Sequence, residues 1–263
     1  MPYVTGPLFS IVLPTFERPA LLACALASVS AQTVRDFELI VVDDGSRVAP
    51  VLPQGGTVRL VRHERNLGAA AARNAGIRVA RGRYVAFLDD DDEYLPTFLA
   101  ATRDALAAAP PSVGLTWCGV RLVPDGGAGG AADRPAPAVR EPRSLAGRLL
   151  WAGAGCGLTL TAACLDAVGG FDPSLETVED SDLFLRVLGR GFAPRRVPGT
   201  HVVVHEHAGP RLSDVSRHPT RIRECRLLLE RHAALLRRRP ALAAQLARHA
   251  VILEEELRQA AAS

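Results

Sequence analysis

The sequence predicts an α/β fold in which helices cover both faces of a mostly parallel central sheet. Short apolar runs alternate with segments of helical periodicity along the first half of the chain, and each apolar run is nearly continuous. Continuous apolar runs are typical of strands buried on both faces, as in a parallel sheet. The alternation of strand and helix favours the same architecture. The predicted strands are residues 9–14, 37–46, 57–63 and 83–88, and the predicted helices are residues 18–33, 66–80 and 95–109.

The ends of these elements carry residues that commonly begin or end secondary structure. Pro14 ends the first apolar run, and a Gly-Ser turn ends the second. Pro19 lies in the first turn of the first predicted helix, where its missing N–H is not needed. The second predicted helix is rich in alanine. In sheets of this kind ligands bind at the carboxyl ends of the strands, so residues just after each strand are candidate site residues.

The second half of the chain has a more varied pattern. Residues 124–143 are so rich in Gly, Ala and Pro that we expect a mobile surface loop. Residues 178–191 predict a short helix that ends at Gly189 or Gly191. Two strand-like runs follow, at residues 192–198 and 200–207, and from residue 217 onward the periodicity predicts two helices separated at Pro240.

These patterns predict one domain with an appendage. We expect residues 1–215 to form the α/β domain, with two halves that meet near residue 120, and residues 216–263 to form a helical appendage. The appendage would pack on the domain or on a second subunit, as in a homodimer. Contact of its arginines with a membrane surface is the alternative.

Composition excludes several classes of protein. Hydrophobic residues make up 48% and charged residues 22%, which is ordinary for a globular chain and argues against disorder. The net charge of +3 is too small to indicate a nucleic-acid partner. The five cysteines are odd in number and form no C-x-x-C pair, so neither a disulfide framework nor a zinc knuckle is predicted. With no leader pattern and no long apolar segment, we expect a cytoplasmic protein, at most peripheral to the inner face of the membrane.

Four consecutive aspartates, Asp89 to Asp92, follow the fourth predicted strand. Adjacent ionised carboxylates raise one another's pKa unless a cation or hydrogen-bond donors meet them. Mg²⁺ and Mn²⁺ take oxygen ligands and keep sites free for phosphate, so the run predicts a site for one of these cations and a diphosphate. The alternative is an acidic turn that caps a helix starting near Leu95.

Three further motifs are weaker when taken singly. Asp43 and Asp44 end the second strand, where an acid commonly binds a ribose, although Asp-Gly-Ser is also an ordinary turn. The chain contains no G-x-G-x-x-G, which argues against a dinucleotide site. Glu179, Asp180 and Asp182 begin a helix, where an ionised carboxylate could act as a general base; the alternative is capping by Glu179 or Asp180 with Asp182 in solvent.

The last motif, "HEHAGPRLS", contains His205, His207 and Arg211. Histidine can ligate a metal ion and arginine can pair with phosphate through two hydrogen bonds. A lone histidine on a strand is more often an ordinary strand residue, so this motif alone does not establish a site.

Together these residues resemble the family 2 glycosyltransferases, inverting enzymes with the nucleotide-binding fold called GT-A. The matching stretches are residues 9–46, 61–96, 165–175 and 179–192, and they occur in the family's order. The resemblance implies a GT-A fold in which the first half binds a nucleoside-diphosphate sugar and the second half binds a hydroxyl acceptor, which in this family is a saccharide, a lipid or a small metabolite.

The resemblance also implies roles for individual residues. Asp180 resembles the family's catalytic base, with Glu179 as its neighbour. Asp89 and Asp91 resemble the outer carboxylates of the D-x-D motif that holds Mg²⁺ or Mn²⁺, and His207 resembles a third metal contact, although His205 is an alternative. The implied contacts to the nucleotide sugar are Pro14, Thr15, Glu17, Asp44, Asn66, Arg73, Asp89, Asp90 and Arg211.

The implied activity is inverting, metal-assisted transfer of a sugar to a hydroxyl group. A phosphotransferase with an aspartate nucleophile is excluded because its D-x-D-x-[TV] signature is absent from the acidic run. A catalytically silent protein of the same fold, which binds nucleotide sugars or acts as a scaffold, is the alternative.

Overall fold

The computed structural model describes residues 6–53, 57–124, 138–140, 157–206 and 215–262. The strands are β1 (Phe9–Thr15), β2 (Phe37–Asp43), β3 (Val58–Arg62), β4 (Tyr84–Phe87), β5 (Asp92–Tyr94), β6 (Val113–Val123), β7 (Ala138–Arg140), β8 (Thr159–Thr161) and β9 (Ala193–His205). The helices are α1 (Pro19–Ser30), α2 (Ala69–Val79), α3 (Phe98–Ala107), α4 (Ala162–Val168), α5 (Glu179–Gly189), α6 (His218–Arg231), α7 (Ala233–Arg237) and α8 (Pro240–Ala262).

One sheet runs through the molecule in the order β3-β2-β1-β4-β8-β6-β9-β5, and β7 pairs with β6 beside β8. The pairs from β3 to β4 are parallel, as predicted from the alternation of strands and helices. Beyond β4 the pairing is mixed, since β8 is antiparallel to both β4 and β6 whereas β9 is parallel to β6. The predicted α/β sheet flanked by helices is therefore confirmed, with less parallel pairing in its second half than expected.

The two faces of the sheet carry separate apolar clusters. Alternate residues of β1 face opposite sides, so that Ile11 packs with α1 and α3 whereas Val12 packs with α2. The second cluster, on the α2 side, also contains buried side chains of α5 and of all three C-terminal helices. The C-terminal helices thus help to bury that face of the sheet, and the predicted division at residue 215 stays a prediction about folding units.

Three features of the second half differ from the sequence-based expectation. The two strands predicted at residues 192–198 and 200–207 are one strand, β9, because a register shift against β6 absorbs Pro198 and the left-handed Gly199. Within the expected loop at residues 124–143, Ala138–Arg140 pair with β6 as β7, and the other residues from 125 to 143 lie outside the described part of the chain.

The C-terminal segment forms three helices rather than two. The periodicity breaks at His232 as well as before Pro240, which begins α8. The predicted helix end at Gly189 is confirmed, and the left-handed Gly191 follows it. None of the helices in the described part of the chain is long and apolar enough to cross a membrane.

The contact between α2 and β1 depends on a glycine. A Cβ atom built on Gly76 would lie 2.4 Å from Cγ1 of the fully buried Val12. The absence of a side chain therefore lets α2 approach the sheet closely, and α2 carries the arginine described below.

Gly76→Ala should destabilise the protein by about 1–2 kcal/mol, because the clash with Val12 exceeds the gain in helix propensity. Urea denaturation at neutral pH measures the change. Gly189→Ala is the matched control, since a Cβ there meets nothing within 4 Å, and it should not lower stability. Equal stability of Gly76→Ala and the wild type would show that Val12 gives way without cost.

Candidate active site

The predicted site residues meet where β1, β2 and β4 end. Thr15 is paired in register with Asp43, and Phe87 of β4 is paired with Val12 of β1, so these strands end at one edge of the sheet. The aspartate run therefore lies beside the β1–α1 loop and the turn after β2. This is the position at which open α/β sheets bind ligands.

Three of the four consecutive aspartates form a group. Asp89, Asp91 and Asp92 each offer a carboxylate oxygen, and these oxygens lie within 4.8 Å of one another. A hard divalent cation accepts such ligands, so the group fits Mg²⁺ or Mn²⁺. Asp92 was not among the predicted ligands; it is buried because it lies on β5, opposite Val204 of β9.

The helix-capping alternative for these aspartates is wrong. Helix α3 begins at Phe98, its first turn contains no acidic residue, and its N-cap Thr97 makes no side-chain capping bond. The aspartate run ends in β5 instead of entering a helix. The carboxylates thus have no role as a cap of α3.

Asp90 points toward β1. Its Oδ2 accepts a 2.7 Å hydrogen bond from Thr15 Oγ1, and Arg18 lies 3.4 Å from its Oδ1. Burial raises the pKa of Asp90 to about 6, although the Thr15 hydrogen bond and the charge of Arg18 oppose the shift. Arg18 also contacts Asp91 at 3.0 Å, and sequence reasoning missed this arginine. Two predicted nucleotide contacts, Thr15 and Asp90, are thus bonded to each other.

Asp44 orders the loop that precedes α2. Its two carboxylate oxygens accept hydrogen bonds from the backbone N–H groups of Leu67 and Gly68 at 3.0 and 2.8 Å, and one of them lies 2.7 Å from His63 Nδ1. The predicted contact residue Asn66 is exposed in the same loop, where its Oδ1 accepts a hydrogen bond from Gly68 N. Asp44 therefore shapes the loop that presents Asn66.

The β1–α1 loop is fastened to the turn after β2. Glu17 adopts a left-handed backbone conformation with φ of 55°. Its N–H donates to Ser46 Oγ at 2.9 Å, and its Oε1 accepts from the N–H of Arg47 at 2.8 Å. Glu17 is exposed, whereas the predicted contact Pro14 is buried inside β1. These bonds fix the loop that borders the aspartate group.

Arg73 joins the two acidic motifs that sequence reasoning treated separately. Its side chain is only 4% exposed, and its guanidinium donates to Asp89 at 2.7 Å and to Glu179 at 2.9 Å. The guanidinium also lies over the Phe171 ring, 5.4 Å from the centroid. Burial opposes its charge, but Asp89 and Glu179 outweigh that effect and raise the pKa of Arg73. One buried cation thus holds the aspartate run against the start of α5.

The first turn of α5 carries the predicted base. Glu179 is buried, and its pKa is raised by burial and by the charge of Asp180, with Arg73 opposing the shift. Asp180 is half-buried, and its Oδ1 accepts a 2.6 Å hydrogen bond from the N–H of Ser181. The N-cap of α5 is Val178, which makes no side-chain capping bond. Neither Glu179 nor Asp180 is therefore the N-cap, although Asp180 accepts from a first-turn amide, as the capping alternative expects.

Asp182 does not lie in solvent, so that part of the alternative is wrong. Its carboxylate is fully buried and contacts Arg186 at 2.7 Å, His232 at 2.8 Å and Arg231 at 3.3 Å. Burial alone would raise the pKa of Asp182, but the hydrogen bonds from His232 and Arg186 outweigh it and lower the pKa to about 2. Asp182 therefore anchors α5 to the C-terminal helices, a link that spacing could not reveal.

Of the motif at residues 205–213, only the first two residues lie in the described part of the chain. His205 ends β9, and its Nε2 lies 2.7 Å from Oε1 of Glu93 on the neighbouring strand β5. His207 and Arg211 lie outside the described residues. The choice between His205 and His207 thus stays a prediction.

Comparison with known proteins agrees with this geometry. Residues 10–123 match the family model described as glycosyl transferase family 2. This part of the chain is therefore similar to glycosyltransferase family 2. The chain is 41% identical, over 91 residues, to an uncharacterized glycosyltransferase of Haemophilus influenzae. It is 29% identical, over 216 residues, to WcaA of Escherichia coli K12, a protein named as a colanic acid biosynthesis glycosyl transferase.

The lengths of these relatives differ greatly. The match covers 34% of this chain and 31% of the Haemophilus influenzae relative, against 78% of this chain and 74% of WcaA. A Sinorhizobium fredii relative, 33% identical over 240 residues, is matched over only 25% of its length. The chain therefore spans a third or less of several relatives that it matches.

Solved structures confirm the GT-A fold. TarS residues 1–349 of Staphylococcus aureus in complex with UDP-GlcNAc has a TM-score of 0.62 and 18% identity, and the match covers 84% of this chain and 66% of that one. The mannosyltransferase PcManGT of Pyrobaculum calidifontis in complex with GDP-Man and Mn²⁺ has a TM-score of 0.60 and 23% identity, with 98% and 74% covered. At these identities the likeness establishes the fold.

The anchoring of Asp182 predicts a pH-dependent stability. Its folded pKa of about 2 lies below the unfolded value, so its contribution is complete above about pH 4 and is lost as the pH falls toward 2. Asp182→Asn should destabilise the protein by about 3 kcal/mol near pH 7. Because asparagine does not titrate, that difference should narrow by about 1 kcal/mol between about pH 5 and pH 3.

Urea denaturation of both proteins across this pH range measures the difference. Asp104→Asn is the matched control, because the Asp104 side chain is 68% exposed and pairs only with the neighbouring Arg103 among the described residues. A gap between wild type and Asp182→Asn that stays constant with pH would contradict the lowered pKa of Asp182.

Proposed function

We propose that this protein transfers a sugar from a nucleoside-diphosphate sugar to a hydroxyl acceptor with inversion of configuration. The observation that carries the proposal is the pairing of Arg73 with Asp89 and Glu179, because it holds the aspartate run close to the start of α5, which carries Asp180. Transfer needs a charge-stabilising site for the departing diphosphate and a base for the incoming hydroxyl, close to each other.

The aspartate group supports a divalent cation as part of the donor site. Asp89, Asp91 and Asp92 would hold Mg²⁺ or Mn²⁺, which supplies positive charge that stabilises the departing diphosphate. Arg18 and Arg73 already pair with Asp91 and Asp89. The neighbour PcManGT was solved with GDP-Man and Mn²⁺, which supports this assignment.

The loops at the strand ends support a nucleotide beside that cation. The β1–α1 loop with Glu17 and the loop from His63 to Gly68 are each fixed by hydrogen bonds to the turn after β2. We assign them to the base and ribose. Asp44 acts mainly by holding the second of these loops through its amides, and Thr15 acts mainly by holding Asp90.

Asp180 is assigned the role of general base. Asp180 is the half-buried carboxylate of the acidic turn, and it directly follows Glu179, which pairs with Arg73 beside Asp89. In the proposed step Asp180 Oδ takes the proton of the acceptor hydroxyl, and the oxygen forms a bond to the anomeric carbon. The bond from that carbon to the diphosphate oxygen breaks on the opposite side, and the nucleoside diphosphate leaves with the electron pair.

A cytoplasmic location stays a prediction. The hydroxyl acceptor, the homodimer through the C-terminal helices and contact with the inner face of the membrane remain predictions. A catalytically silent nucleotide-sugar binder of the same fold is the second candidate, and it would bind donor without releasing nucleoside diphosphate.

Asp180→Asn should lower the rate of nucleoside diphosphate release by about 10²–10⁴-fold, because asparagine cannot accept the proton. UDP-GlcNAc and GDP-mannose are tested first with Mn²⁺, with water as the acceptor, and further donors are chosen by thermal shift. Asp104→Asn is the control and should keep the wild-type rate. A wild type that binds donors but releases no diphosphate would favour the silent binder, and an active Asp180→Asn would remove Asp180 from the base role.

Asp91→Ala should weaken Mn²⁺-dependent binding of UDP or GDP by at least about 10-fold, because a ligand oxygen of the proposed cation site is lost. Isothermal titration calorimetry with and without Mn²⁺ measures the affinity. Asp104→Ala is the matched control. Unchanged affinity of Asp91→Ala for the nucleotide in Mn²⁺ would count against the cation site.

A further inference from the structure

The segment just before the proposed base is held by a buried glutamate of α6. Glu224 is only 4% exposed, and each of its carboxylate oxygens accepts hydrogen bonds from this segment. Oε1 accepts from the N–H of Glu176 at 2.9 Å, and Oε2 accepts from the N–H of Thr177 at 3.0 Å and from Thr177 Oγ1 at 2.6 Å. Hydrogen bonds to an ionised acceptor are stronger than those between neutral groups.

These bonds lie directly before the first turn of α5. Thr177 and Val178 are buried, and the first bond of the helix runs from the N–H of Asp182 to the carbonyl of Val178. No side chain at the N-cap position fixes this end of α5. The position of Asp180 along the helix start therefore depends on where Glu224 holds residues 176 and 177.

The C-terminal end of α6 contacts a residue that follows Asp180 in the sequence. Arg231, which ends α6, and His232, which follows it, both contact Asp182. Glu224 and Arg231 are seven residues apart, about two helical turns, so they lie on one face of α6. Contacts from one helix thus reach residues on both sides of Asp180.

We propose that Glu224 is a positioning residue for the general base, acting on Asp180 through Glu176, Thr177 and Val178. The inference rests on the proposed function, because it needs Asp180 to be the base. A residue that only stabilises the fold would change the free energy of unfolding and leave turnover by the folded enzyme intact. A positioning residue changes kcat while donor binding stays the same, since a displacement of the base by about 1 Å costs up to 10²-fold in rate.

Glu224→Gln is the first test. Glutamine has nearly the same volume and keeps one acceptor oxygen, but its NH₂ group would face an N–H donor of the segment. We expect kcat for nucleoside diphosphate release from UDP-GlcNAc or GDP-mannose to fall about 10–100-fold, with KM and the affinity for UDP with Mn²⁺ within about two-fold of wild type. The backbone amides of residues 176–182 should exchange with deuterium about 10-fold faster.

Thr177→Val is the second variant, and it covers the case in which Glu224→Gln does not fold. It removes the Oγ1 hydrogen bond to Glu224 and keeps the shape of the side chain and the Thr177 N–H. Its effects on kcat and on exchange should have the same direction and be smaller. In the double variant the two effects should not add, because both changes act on one contact.

Glu254→Gln is the matched control. Glu254 lies on α8 and pairs with Arg226 of α6 on the exposed side of the helices, away from residues 176 and 177. The same chemical change there should leave kcat, KM and amide exchange at the wild-type values. An equal loss in Glu254→Gln and Glu224→Gln would show that any disturbance of α6 lowers activity, and would overturn the specific role of Glu224.

Two results separate a failure of this inference from a failure of the proposed function. If Asp180→Asn is inactive while folded Glu224→Gln keeps the wild-type kcat or the wild-type exchange of residues 176–182, Glu224 does not position the base. If Asp180→Asn keeps the wild-type rate, the base assignment itself is wrong and Glu224 has no base to position. Amide exchange needs no donor, so it decides the contact whichever nucleotide sugar the enzyme uses.

Discussion

The pairing of one buried arginine with two carboxylates holds the candidate site together. Arg73 reaches Asp89 after β4 and Glu179 at the start of α5, and a guanidinium this deeply buried is tolerated only when it is paired. Asn74, the next residue, exchanges hydrogen bonds of 2.7 and 2.8 Å with the backbone of Phe171, whose ring lies under Arg73. Because Arg73 and Asn74 are adjacent on α2, this helix sets the distance between the proposed cation site and the proposed base.

The close approach of α2 to the sheet makes this pairing geometrically feasible. Gly76 lets the helix lie against Val12, and the loop that begins α2 is held by Asp44 at the end of β2. The carboxylates of Asp89 and Glu179 therefore meet the guanidinium of Arg73, whose position is set by the packing of α2 on the sheet. Charge and packing depend on each other here: without the close contact Arg73 could not reach both acids, and without both acids its burial would be unfavourable.

The sequence predicted those parts of the structure that depend on local pattern. The strands β1, β2 and β4 are nearly continuous apolar runs, and Asp89 and Asp91 follow shortly after β4, so their positions could be inferred. The strand β5 could not, because three mostly polar residues form it only by pairing with β9. Asp182 was misjudged because its partners Arg231 and His232 lie about fifty residues away. The pairing of Arg73 with Glu179 spans 106 positions, and no local spacing indicates it.

Local pattern also did not reveal the contacts of the C-terminal helices, which were predicted from the sequence to form an appendage. The matched family model ends at residue 123, yet the proposed base lies on α5. Residues on either side of it in the sequence are contacted from beyond residue 215: Thr177 by Glu224, and Asp182 by Arg231 and His232. Buried residues of α6, α7 and α8 belong to the apolar cluster that also contains α2 and α5. The carboxylates of the proposed cation site all precede residue 123, whereas the proposed base lies on a helix that is held by contacts from the C-terminal helices, so the proposal places α6 in the catalytic unit.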